Sequence, residues 1–172
     1  MKRLLTLAAL VTLMSGPAQA ANTQATLEEV KIIQEAQIKL MSAMVTEKKS
    51  RLGFNETVAA LQNAARKRGW ELGKIVDVQA EMLKTGVKGA KPFKMLTMCR
   101  KDLAEKLLKE QAAQKVMPFA PCRMSVFEGD DGKIYIARSN TELMAQMATP
   151  TYAPLLKQFA EEEKAVLANI AE

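Results

Sequence analysis

The sequence predicts an α+β fold. It reads as a single compact domain with a small sheet of about four to five strands, including a C-terminal hairpin, packed by two or more helices and extended by helices at both ends. Three observations carry this. Alternating runs on either side of Asp130-Asp131-Gly132, CRMSVFE and KIYIAR, read as a hairpin. Between such runs lie segments with apolar residues at helical spacing. Once a leader is set aside, 152 residues remain, enough for one domain with its own core.

The leader is MKRLLTLAALVTLMSGPAQA. Lys2 and Arg3 form a positive n-region, Leu4 to Met14 an apolar h-region, and Ser15-Gly16-Pro17 a break before Ala18-Gln19-Ala20. This is the pattern of a secretory signal, with cleavage expected between Ala20 and Ala21. The apolar run is too short for a membrane span, which needs ~20 residues. Its tripartite form is bacterial in style, so the periplasm is the expected compartment, with no span after processing.

The elements follow in order. Thr26-Leu27-Glu28-Glu29 has the form of a capping box opening a helix. Val30, Ile33, Leu40, Met41 and Met44 make its stripe, with Gln37 interrupting. Met44 to Leu52 suits an edge strand kept soluble by lysines. Asn55 can cap a second helix with the stripe Val58, Leu61, Ala65, cations Arg66, Lys67 and Arg68 in its last turn, and Gly69 as left-handed cap. Trp70 to Asp77 reads as a strand, Val78 to Lys84 as a short helix, and Thr85 to Pro92 as a loop. Phe93 to Cys99 is strand-like. Lys101 to Gln114 is a helix with Leu103, Ala104, Leu107, Leu108 and Ala112 facing inward. A proline-bracketed turn from Met117 to Pro121 precedes the hairpin. Thr141 to Met147, capped by Asn140, and Pro154 to Ile170 close the chain as helices; the last carries an acidic patch, Glu161-Glu162-Glu163.

Composition excludes much. The chain holds no histidine and only two cysteines. That removes Ser-His and Cys-His nucleophiles, mixed Cys/His zinc sites and Cys₄ clusters. No glycine-rich phosphate loop or dinucleotide fingerprint is present. The formal charge of +6 is spread along the chain and drops with the loss of Lys2 and Arg3. Nucleic-acid binding would need a concentrated basic face with stacking aromatics, and it is not expected.

From Phe54 to Ile170 the chain resembles the family called domain of unknown function 302, in its exported bacterial branch. Three pieces carry the resemblance: Met98-Cys99-Arg100 with Leu103-Ala104 behind it; Met117-Pro118, Pro121 to Glu128 and Asp131 to Ile136; and Asn140 with Leu143-Met144 and Met147. Two departures fall beside the cysteines. Arg100-Lys101 stands where many relatives have Asn-Pro, and Phe119-Ala120-Pro121 separates Met-Pro from Cys-Arg. The resemblance implies a compact domain, often associated as a dimer, and supplies no activity. The expected organisation is a leader over 1–20, an N-terminal helix and connecting segment over 21–50, the family-like domain over 51–148, and a C-terminal helix over 149–172.

Cys99 and Cys122 admit three readings. An oxidising compartment favours a disulfide, worth roughly 3 kcal/mol on the chain-entropy model. It requires antiparallel strands. A parallel crossover, the usual outcome for strand–helix–strand, would separate the two by on the order of 17–20 Å. A soft-ligand site would use Cys99, Cys122, Met98 and Met124 and favour Cu(I), although Met98 faces away from Cys99 and methionine is usually core filler. Two reduced, buried thiols are the third reading. Arg100 and Arg123, directly after the cysteines, would hold an anion or lower a thiol pKa; otherwise they are solvated strand-end residues. Asp77 and Glu128 are further candidate ligand-binding residues, and Asp131-Gly132 is a turn. The leading expectation is a periplasmic, non-enzymatic binding or interaction domain for a small ligand or protein partner, without cofactor or resident metal. A thiol-redox or sulfur-handling protein and a Cu(I)-binding protein are the alternatives.

Overall fold

The computed structural model describes residues 17–109 and 122–172, with side chains from residue 26 onward. Most of the leader, the end of the helix expected to reach Gln114, and the Met117–Pro121 turn lie outside the described residues. The chain divides into two units after Met41.

The first unit is helical. α1 runs Pro17–Ala43, so no helix starts at Thr26 and the expected processing site falls in its first turns. The Ala- and Gln-rich stretch ahead of Thr26 propagates the helix upstream, past the capping signal. Leu27, Val30, Ile33, Leu40 and Met41 are exposed along it. Among the described residues no helix is long and apolar enough to cross a membrane.

The second unit, Ser42–Glu172, holds an open five-stranded sheet. Its elements are β1 (Val45–Lys49), α2 (Phe54–Lys67), β2 (Glu71–Asp77), α3 (Val78–Lys84), β3 (Phe93–Cys99), α4 (Lys101–Leu108), β4 (Arg123–Glu128), β5 (Ile134–Ser139), α5 (Thr141–Met147) and α6 (Ala153–Leu167). The strand order is β1-β5-β4-β3-β2, antiparallel throughout. β2 to β5 therefore form a meander, and β1 is an edge strand, as its lysines predict.

Local signals explain the boundaries. α2 begins one residue before Asn55: Gly53 is its cap, and the Glu56 carboxylate accepts from the Gly53 N–H at 3.2 Å. With that amide satisfied, Asn55 is left exposed in the first turn. At its other end the Gly69 N–H donates to Arg66 and the Trp70 N–H to Ala65, both at 3.0 Å. This is a Schellman close, with Gly69 at φ 74°. Asn140 caps α5 by accepting from the Leu143 N–H at 3.0 Å.

One sheet face buries Leu96, Met98, Met124, Val126 and Ile136 against Leu61 and Ala65 of α2 and Val166 and Leu167 of α6. A second cluster joins Leu103 and Leu107 of α4 to Met144, Leu156 and Phe159, with Met44 packed at its margin. Leu108, expected inward, is exposed, because one helical step beyond Leu107 turns it off the packed stripe. The opposite face carries a cross-strand ladder of rings: Phe93 and Phe127 stack at 5.7 Å, Phe127 and Tyr135 at 5.9 Å.

Candidate functional site

β3 and β4 are antiparallel, with Thr97 opposite Arg123 and the Met98 N–H donating to the Cys122 carbonyl at 3.0 Å. The geometry that a disulfide requires is therefore met. Cys99 and Cys122 are bonded, with Cα atoms 4.6 Å apart. The connection through α4 returns the chain to the end of the sheet it left, instead of crossing over to start a parallel strand.

Cys99 sits between two charged neighbours. Arg100 follows it as the residue that opens α4, and Glu71 lies across from it in the β2–β3 register. Both belong to an open cleft of about 440 Å³ shared with Arg68, Lys101, Asp102 and Glu105. Arg100 forks onto Asp102 through Nε and Nη2, each at 2.8 Å, and its Nη1 lies 3.0 Å from Glu162 of α6. Arg68 grips the same Glu162 with two hydrogen bonds at 3.0 Å. Planar guanidinium forks suit such bidentate contacts. The hydrogen bond from Arg100 holds the Asp102 carboxyl below its usual range, and Asp102 in turn raises Arg100. Arg68, with help from Arg100, lowers Glu162.

The other expected residues do not line this cleft. Arg123 is exposed on the sheet face opposite the helices and makes no ion pair among the described residues. Asp77 caps α3, accepting from the Ala80 N–H at 2.9 Å, and lies 3.7 Å from Lys94. Glu128 ends β4, its N–H donating to Pro92. Both stand at the opposite end of the strands from Cys99, roughly 20 Å away at 3.3 Å per residue. Met98 and Met124 are buried in the core cluster between the sheet and the helices. Asp131 is a turn residue, accepting from the Lys133 N–H and the Tyr135 hydroxyl.

Sequence reasoning missed a buried charge cluster. The supposed patch Glu161-Glu162-Glu163 divides three ways: Glu161 pairs with Lys164 on the surface, Glu162 with Arg68 and Arg100, and Glu163 is fully buried against Arg138. Arg138, on β5, donates through Nη1 to Glu163 at 2.8 Å and forks onto Glu142 at 2.8 and 3.1 Å. A signal existed. Arg138 alternates with Ile134 and Ile136, and Glu163 sits four residues after Phe159 on the apolar stripe of α6.

The chain matches the family described as Domain of unknown function DUF302 over residues 46–171. It is also similar to the crystal structure of an uncharacterized conserved DUF302 protein from Bacillus stearothermophilus. The TM-score is 0.64 at 21% identity, covering 73% of this chain and 97% of that one. No curated protein matches it.

Proposed function

The chain belongs to the DUF302 family, and from that premise we propose that it is an exported, periplasmic binding domain of that family's exported bacterial branch. Its ligand site is the cleft beside the disulfide. The observation that carries this reading is the placement of Arg100. The Cys99–Cys122 bond ties down the end of β3, and Asp102 and Glu162 fix the guanidinium from both sides. A pre-positioned cation over an open cleft is what ligand binding needs, because little ordering remains to be done on association. Arg68, Lys101, Glu71 and Glu105 also line the opening, with Lys101 Nζ 3.7 Å from Glu71. The complementary ligand is a small zwitterion, such as an amino acid or a short peptide. The disulfide itself supports an oxidising compartment.

A thermal-shift panel of amino acids and dipeptides on the purified protein tests this, with Arg100→Met and Glu71→Gln in parallel. Stabilisation by one compound class, lost in both variants, is expected. A panel that shifts nothing, or shifts all three proteins alike, overturns the cleft. N-terminal sequencing of the exported protein is expected to begin at Ala21.

Thiol–disulfide chemistry is a second reading, favoured by one observation: both cysteines are only half-buried, with Arg100 directly after Cys99. An external dithiol would reduce the bond to two thiols and itself become a disulfide. Equilibration in glutathione buffers separates the readings. A potential below about −300 mV marks a structural bond, and one above about −200 mV marks exchange.

A further inference from the structure

Arg138 and Glu163 meet inside the second unit, where water does not screen them. Their side chains are 4% and 1% exposed. Glu142, on α5, already neutralises the guanidinium through a two-pronged contact. Glu163 is thus a second carboxylate on a single buried cation. One charge is surplus whenever both are ionised, and desolvating a surplus charge is costly. Glu163 Oε1 and Arg138 Nε also lack hydrogen-bond partners among the described residues.

The remaining groups around the pair do not offset that surplus. Thr141 of α5 contributes only a hydroxyl, and Thr46 of β1, opposite Arg138 in register, another. Lys164 reaches Glu142 at 3.9 Å but is half-exposed and held by Glu161 at 2.9 Å. From α2 and the start of α4, the cations Arg68 and Arg100 face Glu162, not Glu163.

We propose that Glu163 is a proton-exchanging latch between α6 and the sheet, which releases its proton as pH rises and thereby weakens the seating of the helix on β5. Burial pushes the Glu163 carboxyl from the ordinary 4.5 up to about 7, against the opposing pull of Arg138. A carboxyl raised on folding contributes stability that is complete below its unfolded value and is lost as pH climbs through its folded value. The window therefore runs from about pH 4.5 to 7. Because α6 also supplies Glu162 as partner to the cleft residues Arg68 and Arg100, one helix serves both networks. The latch itself does not rest on the ligand reading.

Urea unfolding of the full chain between pH 5 and 8.5 tests it. In the wild type the folded-to-unfolded ratio is expected to fall by up to tenfold per pH unit toward pH 7 and then level off. Glu163→Gln, which keeps the shape of the protonated acid, is expected to flatten that slope. A flat wild type, or a variant that keeps the slope, overturns the latch. Carboxyl carbon NMR reads Glu163 directly and does not depend on that variant folding. A midpoint near 7, dropping by a unit or more in Glu142→Gln, is expected; a wild-type midpoint below 5 overturns the proposal.

Discussion

Arg100 Nη1 and Glu162 Oε2 lie 3.0 Å apart, joining the disulfide end of β3 to the C-terminal helix. Glu162 accepts from Arg68 as well, so one carboxylate gathers α2, β3 and α6 at the cleft. Surface ion pairs are worth about 0–1 kcal/mol, and a bidentate contact sits at the upper end of that range. Arg68 is 39% exposed, so solvent and salt screen its side of the contact. Glu162→Gln is expected to cost about 1 kcal/mol in urea unfolding, and less at 1 M salt. A loss that salt leaves untouched would show the contact to be packing and not charge.

The disulfide predicts a larger effect. It closes a loop between residues separated by 23 positions, for which chain entropy alone gives roughly 3 kcal/mol. The double substitution Cys99→Ala and Cys122→Ala is expected to lose about that much. Thiol titration of the unreduced wild type should detect no free thiol, since neither cysteine is free.

Gly69 isolates a backbone effect. Its φ of 74° closes α2, and a Cβ there would meet nothing within 4 Å. Gly69→Ala therefore introduces no clash, only the cost of the left-handed conformation, about 1 kcal/mol. A much larger loss of stability would mean that the Trp70 side chain, buried just beyond, is displaced as well.

The legible and the illegible parts of this chain differ in range. Short-range grammar was readable: Asn140 as a cap, Gly69 as a stop, the Asp131-Gly132 turn and the β4–β5 alternation each depend on neighbours a few residues away. The α+β class followed from them, and the edge position of β1 from its lysines. The relation of Cys99 to Cys122 was not readable, because strand direction depends on where a long connection returns, and local spacing does not encode that. Glu163 was hidden for another reason. Three glutamates in a row look like one solvated face, yet successive helical residues point 100° apart, and Glu163, four residues after Phe159, is the one that turns toward the core.

The buried cluster makes the sharpest prediction. Removing Arg138 leaves Glu163 buried beside no cation, the situation that makes breaking a buried pair costly, on the order of 3–5 kcal/mol. Part of that cost requires Glu163 to be ionised. Arg138→Met is therefore expected to lose about 3 kcal/mol at pH 8. The loss should be smaller at pH 5 by about 1 kcal/mol, because Glu163, raised to about 7, already holds its proton there, and at pH 8 the variant takes one up at the cost of about one pH unit. Pairing it with Glu163→Leu removes both charges from the interior. Hydrophobic replacement of a whole buried pair is often neutral or stabilising, so the double variant should recover most of the loss at pH 8. Denaturant curves of the two variants at both pH values check this. An equal loss at pH 5 and pH 8, with no recovery in the double variant, would assign Arg138 to packing and leave its charge without a structural role.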